Sequence, residues 1–166
     1  MTEISTPREL FVHELGDILY VEQQLVSDAL PKLIGEVQDD ELRGALEDHL
    51  EQTRGHVANV ERVFELLDEE VETEVCLGFE GLTKEHAKMV EESSADLIDM
   101  VDLGAAARTE TYEIAAYETL RRMAKALGED EAVELLDKNL KEEKEALQIV
   151  ERIATRVSKE QASQIA

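Results

Sequence analysis

The sequence predicts an all-α protein, a four-helix bundle with one long crossover and a short extra helix. Apolar residues recur at three- and four-residue steps along four long segments, and those segments pair into two tight hairpins separated by one irregular stretch. The composition agrees: 43% of the chain is hydrophobic but only 4% is aromatic, which suits the aliphatic core of a helical bundle. With 166 residues, eight Gly, two Pro and no Ser/Gly- or Pro-rich linker, one domain is expected over the whole chain, its core at about 8–157.

Thr6-Pro7-Arg8-Glu9 announces the first helix, with a Thr cap, Pro at the first helical position and Glu at the third. Its stripe runs from Leu15 through Ile18, Leu25 and Leu33 to Val37, with Pro31 inside it as a kink. Gln38-Asp39-Asp40 is a connection short enough to demand an antiparallel neighbour. The second helix spans about Glu41 to Asp68. From Glu69 to Leu82, β-branched residues, Cys76, Gly78 and Gly81 break the pattern into a crossover. Thr83 is expected to cap a short helix lasting to about Glu92, and Ser93-Ser94 to cap the next. A third long helix from about Ala95 ends at Leu127 before Gly128. The fourth follows Glu129-Asp130 and runs to about Val157, leaving a polar tail. Two hairpins joined by one long crossover give the connectivity of ferritin-like bundles.

Bulk properties exclude several functions. A net charge of −23 argues against nucleic acid and against an anionic membrane surface, because phosphate binding needs clustered Lys and Arg. The charge fits two readings, a surface that gathers cations or a halophilic adaptation to high salt, and its spread along the whole chain favours the second. No segment approaches the roughly 20 apolar residues that span a bilayer. The N-terminus lacks the order of a signal peptide, so a cytoplasmic protein is expected. Cys76 stands alone, without a partner for a disulfide or a cluster for zinc, and reads as structural.

Polar residues interrupt each apolar stripe near its middle. Glu22 lies between Ile18 and Leu25; Glu110 and Glu113 lie between Ala106 and Tyr117; Glu143 lies between Leu140 and Leu147. On the second helix the break is His49, Thr53 and His56. Midpoints of antiparallel helices sit at one level, so these breaks converge on one volume. A buried carboxylate there must be protonated, paired with a cation or bound to metal. Asp and Glu make up 40 of 166 residues, so one such coincidence means little; the four glutamates together carry the argument. Carboxylates with imidazoles suit Fe, Mn or Zn.

Several segments are also distinctive as strings: Glu9-Leu10-Phe11-Val12-His13, Tyr20-Val21-Glu22-Gln23-Gln24, His49-Leu50-Glu51-Gln52-Thr53, Cys76-Leu77-Gly78-Phe79-Glu80-Gly81-Leu82, Tyr112-Glu113-Ile114-Ala115-Ala116-Tyr117 and Glu142-Glu143-Lys144. In these, from about residue 8 to 157, the chain resembles the YciF/YciE family of ferritin-like (rubrerythrin-like) stress proteins. The resemblance implies a homodimer and a carboxylate-bridged di-metal centre, with Glu22, Glu113, Glu143 and Glu110 where the family keeps glutamates. It also marks departures. The family's two adjacent glutamates after the histidine aligned with His49 are Glu51-Gln52 here, with Gln52 the inward one. Its frequent Asp four residues after Glu143 is Leu147, and neither hairpin has the Glu-x-x-His spacing of well-characterised di-iron proteins.

The expectation is therefore a divalent metal, Fe or Mn, held by Glu22, Glu113 and Glu143, with Glu110, His49, Gln52 and His56 as further ligands or partners of ligands. Tyr20 or Tyr117 would line the site, and a catalytic version would handle oxygen or peroxide, a small oxidant substrate. Two rivals stand beside it. One is a non-enzymatic scaffold whose inward carboxylates are protonated or paired with Arg54, Arg108 or Lys144. The other is a metal store, which would need a cage of subunits.

Overall fold

The computed structural model describes residues 3–164. Its helices are α1 (Pro7–Gln24), a π-helical turn (Leu25–Ala29), α2 (Leu30–Glu36), α3 (Asp40–Leu66), α4 (Leu77–Glu92), a 3₁₀ turn (Ala95–Leu97), α5 (Ile98–Leu127) and α6 (Asp130–Gln164). Among the described residues there is no strand, and the arrangement is the expected all-α bundle with one crossover and a short extra helix. The first long rod (α1, the π turn and α2), α3, α5 and α6 surround one aliphatic core, with α5 on α6 the most extensive pairing. The short α4 packs on α5, outside the four.

The caps expected at Thr6 and Gly128 form, and Asp39 adds one that the sequence reading took only as part of a short connection. Thr6 and Glu9 form a reciprocal capping box, with the Thr6 hydroxyl accepting from the Glu9 N–H at 3.2 Å. Asp39 caps α3 by accepting from the Leu42 N–H at 2.9 Å. Gly128 closes α5 at φ 81°, a left-handed conformation that a Cβ would oppose.

Four boundaries differ from the sequence reading. One is the start of α5, which lies at Ile98 after a 3₁₀ turn because the Ser94 side chain makes no capping hydrogen bond. Instead of a simple kink, Pro31 is preceded by a π turn in which the Leu30 N–H bonds the Leu25 carbonyl. The extra residue of that turn shifts the hydrogen-bond register before the proline, which has no N–H to offer. The extra helix begins at Leu77 rather than Thr83, because the Cys76 thiol takes the capping role and accepts from the Phe79 N–H at 3.3 Å. Thr83 bonds back to the Phe79 carbonyl at 3.0 Å as an interior residue. At the far end, residues 158–164 continue α6 where a polar tail was expected. That segment has neither Gly nor Pro to stop it, and Arg156 and Glu160 pair along it at 3.1 Å.

Close approach of backbone ties the crossover to the bundle. The Glu74 N–H bonds the Gly16 carbonyl on α1 at 3.0 Å, and a Cβ on Gly16 would meet the Glu72 carbonyl oxygen at 3.0 Å. Gly78 makes similar room for the ring of Tyr112, whose hydroxyl lies 2.9 Å from the Cys76 sulfur.

Candidate metal centre

Four helices deliver buried polar side chains to one level of the bundle. Helix α1 supplies Glu22; α3 supplies His49, Thr53 and His56; α5 supplies Glu110, Glu113 and Tyr117; α6 supplies Asn139 and Glu143. Spacings of three, four or seven residues place each helix's set on its inward face. Apolar residues of the same stripes close the volume on either side: Ile18, Leu46, Val60, Leu120 and Leu136 are all buried.

Two groups of donors form there, and they share Glu143. In the first, Glu22, His56 and Glu143 each present an atom within 4.8 Å of the others; in the second, His49, Glu110 and Glu143 do so. His56 Nδ1 lies 2.8 Å from Glu143 Oε1 and 3.5 Å from Glu22 Oε1, while His49 Nε2 lies 3.3 Å from Glu110 Oε1 and 3.8 Å from Glu143 Oε2. The 2.8 Å approach misses hydrogen-bond geometry, so Nδ1 and Oε1 both lack a hydrogen-bond partner despite their closeness. Glu22 Oε2, Glu110 Oε2 and both oxygens of Glu113 are likewise buried and unpartnered. Most buried polar atoms are satisfied, so this concentration of orphaned acceptors calls for a cation or protons.

The outward ring nitrogens do have partners. His56 Nε2 meets Glu142 Oε2 at 2.9 Å, and His49 Nδ1 meets Gln52 Oε1 at 3.4 Å. Each imidazole thus faces the centre with one nitrogen and an oxygen with the other, which is how metal-ligating histidines are commonly oriented. Tyr117 donates its hydroxyl hydrogen to Glu22 Oε1 and accepts from Asn139 Nδ2 at 3.0 Å. Asn139 in turn accepts from Asn59 at 2.6 Å. Thr53 satisfies itself on the His49 carbonyl at 2.8 Å.

Burial and mutual repulsion divide the charges in the metal-free protein. Burial raises Glu110 and Glu113 well above the usual carboxylate range, and the neighbouring carboxylates push the same way. Burial also raises Glu22, against the pull of His56. Burial disfavours charge on Glu143 too, but His56, close against it, holds it below its ordinary value. Burial by itself would lower His56; the carboxylates of Glu143 and Glu22 reverse this and lift it to about 10. His49 is lowered by burial and is a neutral imidazole. In the metal-free centre His56 stands against Glu143, while burial and mutual repulsion favour the protonated forms of Glu110 and Glu113.

Of the residues singled out from sequence, Glu22, His49, His56, Glu110 and Glu143 fall in the two donor groups. Glu113 is buried beside them but belongs to neither, and Gln52 stands behind His49. Tyr117 lines the centre, whereas Tyr20 bonds Glu80 at 2.7 Å, on the side of α1 that faces α4. The cations offered as partners for the inward carboxylates pair elsewhere: Arg54 with Glu51, Arg108 with Glu85 at 3.8 Å, and Lys144 with Glu118 at 2.8 Å. Sequence reasoning passed over Asn139 and Glu142. Asn139 was visible as a second polar break on its stripe, four residues before Glu143. Glu142 appeared only inside the Glu142-Glu143-Lys144 string, with no role, because it flanks the stripe on a helix rich in Glu.

Among the described residues no helix is long and apolar enough to cross a membrane. The family described as Domain of unknown function (DUF892) matches residues 6–163. The chain is 34% identical over 143 residues to Protein YciF of Escherichia coli K12, covering 85% of this chain and 86% of that one. The crystal structure of that E. coli stress protein superposes with a TM-score of 0.88 at 31% identity, over 94% of this chain and 99% of the other. YcfI of Rhodopseudomonas palustris gives 0.86 at 35% identity, covering 90% and 95%. A protein from Xanthomonas campestris shares the fold, with a TM-score of 0.76 at 21% identity over 96% and 98%. With nearly its whole length matched and a helical bundle built like that of the E. coli stress protein, the chain belongs to the DUF892 family.

Proposed function

We propose that this is a stress-associated, ferritin-like protein whose bundle core binds two divalent metal ions, iron or manganese. The observation that carries the reading is the pair of donor groups sharing Glu143, amid buried carboxylate oxygens that have no other partner. The donor set fits: imidazole nitrogens with several carboxylates suit Fe, Mn or Zn. Glu22, His56 and Glu143 would hold one ion and His49, Glu110 and Glu143 the other, with Glu113 a further carboxylate beside them. Iron or manganese bound there would supply electron transfer to oxygen or peroxide.

The chain's own residues do the rest. Glu142 and Gln52 fix the orientation of the two imidazoles, Tyr117 holds Glu22, and the aliphatic layers above and below keep bulk water out. The likeness to a stress protein in E. coli supports the physiological setting, a homodimer in the cytoplasm belongs to the same reading, and the acidic composition supports a high-salt habitat.

Elemental analysis of protein purified without chelator or affinity nickel tests the proposal, followed by iron titration with oxygen monitored. Two ions per chain are expected, with oxygen consumed as iron is added. Absence of metal from the purified protein, with no uptake and no oxygen consumption on titration, leaves a scaffold protein instead. Light scattering in molar salt separates a dimer from a cage.

A further inference from the structure

The hydrogen bonds behind the two donor groups are unequal. Asn139 is fully buried on α6 and uses every polar atom it has. Its Nδ2 donates to the Tyr117 hydroxyl at 3.0 Å and to the His56 carbonyl at 3.4 Å, and its Oδ1 accepts from Asn59 at 2.6 Å. A backbone carbonyl can only accept, so an amide oxygen turned towards it would be repelled, and the Nδ2 end is the one that faces Tyr117. Tyr117 receives that hydrogen and has one proton of its own to give, which Glu22 Oε1 accepts. The direction of the chain is thereby set from Asn139 to Glu22, whose Oε2 is left without a partner. His56 in the same group has Glu142 Oε2 behind its Nε2 at 2.9 Å. The other group lacks such support. Behind His49 stands only the neutral amide oxygen of Gln52, at 3.4 Å, beyond the usual length of such a bond. Glu110 has His49 Nε2 at 3.3 Å from Oε1 and no partner for Oε2.

From this geometry we infer that metal enters the two groups in order, Glu22–His56–Glu143 before His49–Glu110–Glu143, and that Asn139 sets the order by aiming the Tyr117 hydroxyl at Glu22. Donors already held in place lose less freedom on binding, and a carboxylate behind an imidazole makes it a stronger donor. Loss of one such outer partner weakens a bound metal by about 10–100-fold, which is the size of the difference expected between the two positions. Glu143 cannot create that difference, because it belongs to both groups. Asn139 is a positioning residue, since it acts on Glu22 only through Tyr117. The order rests on the metal-binding reading and deepens it.

The test follows the ring nitrogens of His49 and His56 by NMR while Zn(II), a diamagnetic ion suited to the same donors, is added to the 15N-labelled, metal-free protein. The first equivalent should shift the His56 ring and leave His49 in place, and the second should shift His49. Calorimetry should give a first Kd at least about tenfold below the second. Tyr117→Phe and Asn139→Leu should each weaken the first step by about 10–100-fold and leave the second nearly unchanged, so that the two rings respond together. Gln52→Glu places a carboxylate behind His49 and should tighten the second step instead. Variants count if they keep the helical circular dichroism of the parent, and one folded member of the Tyr117 and Asn139 pair suffices. His49 responding first, or both rings together, in the parent overturns the order. Weakening of both steps alike, or an unchanged order, in the folded variants overturns the role of Asn139. If no zinc is taken up, the metal-binding reading falls and the order with it; if two ions bind in the wrong order, the order alone falls.

Discussion

At the scale of single residues, Glu113 and Glu143 show how function and stability oppose each other in this core. Glu113 is fully buried with neither oxygen partnered, a placement that packing alone would not favour. Glu113→Leu should therefore stabilise the metal-free protein by about 1–3 kcal/mol while weakening metal uptake; thermal unfolding with and without metal reads both effects. Glu143→Ala should do the opposite in the metal-free state. It removes the carboxylate nearest His56 Nδ1, leaving Glu22 and Glu142, and should cost about 1–3 kcal/mol, and it should also remove the donor common to both groups. The protonated carboxyls give a sign for pH. Glu110 and Glu113 bind protons more tightly folded than unfolded, so their contribution to the metal-free protein's stability is full below the ordinary carboxylate range. It is lost as pH rises through their raised values. Metal must displace those protons, so its affinity should increase with pH, and titration in weakly buffered solution should acidify the medium. Uptake with no proton release would contradict these protonation states.

Among the elements, the turns and junctions decide how the inward faces meet. Asp39 caps α3 and also receives Arg156 of α6 at 2.7 Å, so one carboxylate joins two helices that are distant in sequence. Burial raises the Asp39 pKa, but Arg156 and the capped N–H groups outweigh it and leave it lowered. Its contribution is present above the ordinary Asp range and is lost as pH falls through the lowered value. Arg156→Ala should cost about 0.5–1 kcal/mol, less in molar salt because the pair is partly exposed, as chemical denaturation would show. The crossover depends on contact rather than charge. Gly16→Ala should destabilise by about 1–3 kcal/mol and loosen residues 72–74, seen as faster amide exchange at Glu74. The Cys76 cap was unreadable beforehand because Cys is not among the residues that usually cap helices. Pro31 announced an interruption, but only the hydrogen bonds of the assembled helix show it to be a π turn, which begins three residues after Glu22.

For the whole molecule, the surplus of 23 negative charges sets a field in which every neutral-pH experiment takes place. Self-repulsion of this size should make the protein markedly less stable in dilute buffer than in molar potassium chloride, and melting temperatures across a salt series measure it. A flat response would remove the support for a high-salt habitat. The bundle itself was legible because it is written in local terms. The Leu15–Ile18–Glu22–Leu25 stripe and its counterparts need only helical spacing, and Gly128 and Thr6 need only the neighbouring residues. Spacing likewise made Glu22, Glu110, Glu113 and Glu143 conspicuous, as acids where apolar residues belong. Tertiary structure decided what those acids face. Glu113 and Glu110 sit one turn apart on one stripe, yet only Glu110 enters a donor group, and Tyr20 and Tyr117 read alike in sequence but only Tyr117 reaches Glu22. Helical periodicity fixes the face on which a side chain lies, whereas its partners depend on the rotation, axial shift and packing distance of helices far apart in the chain. That is why the sequence determined the bundle and its acidic interior, and why only the assembled helices decided that Glu143 stands between two donor groups.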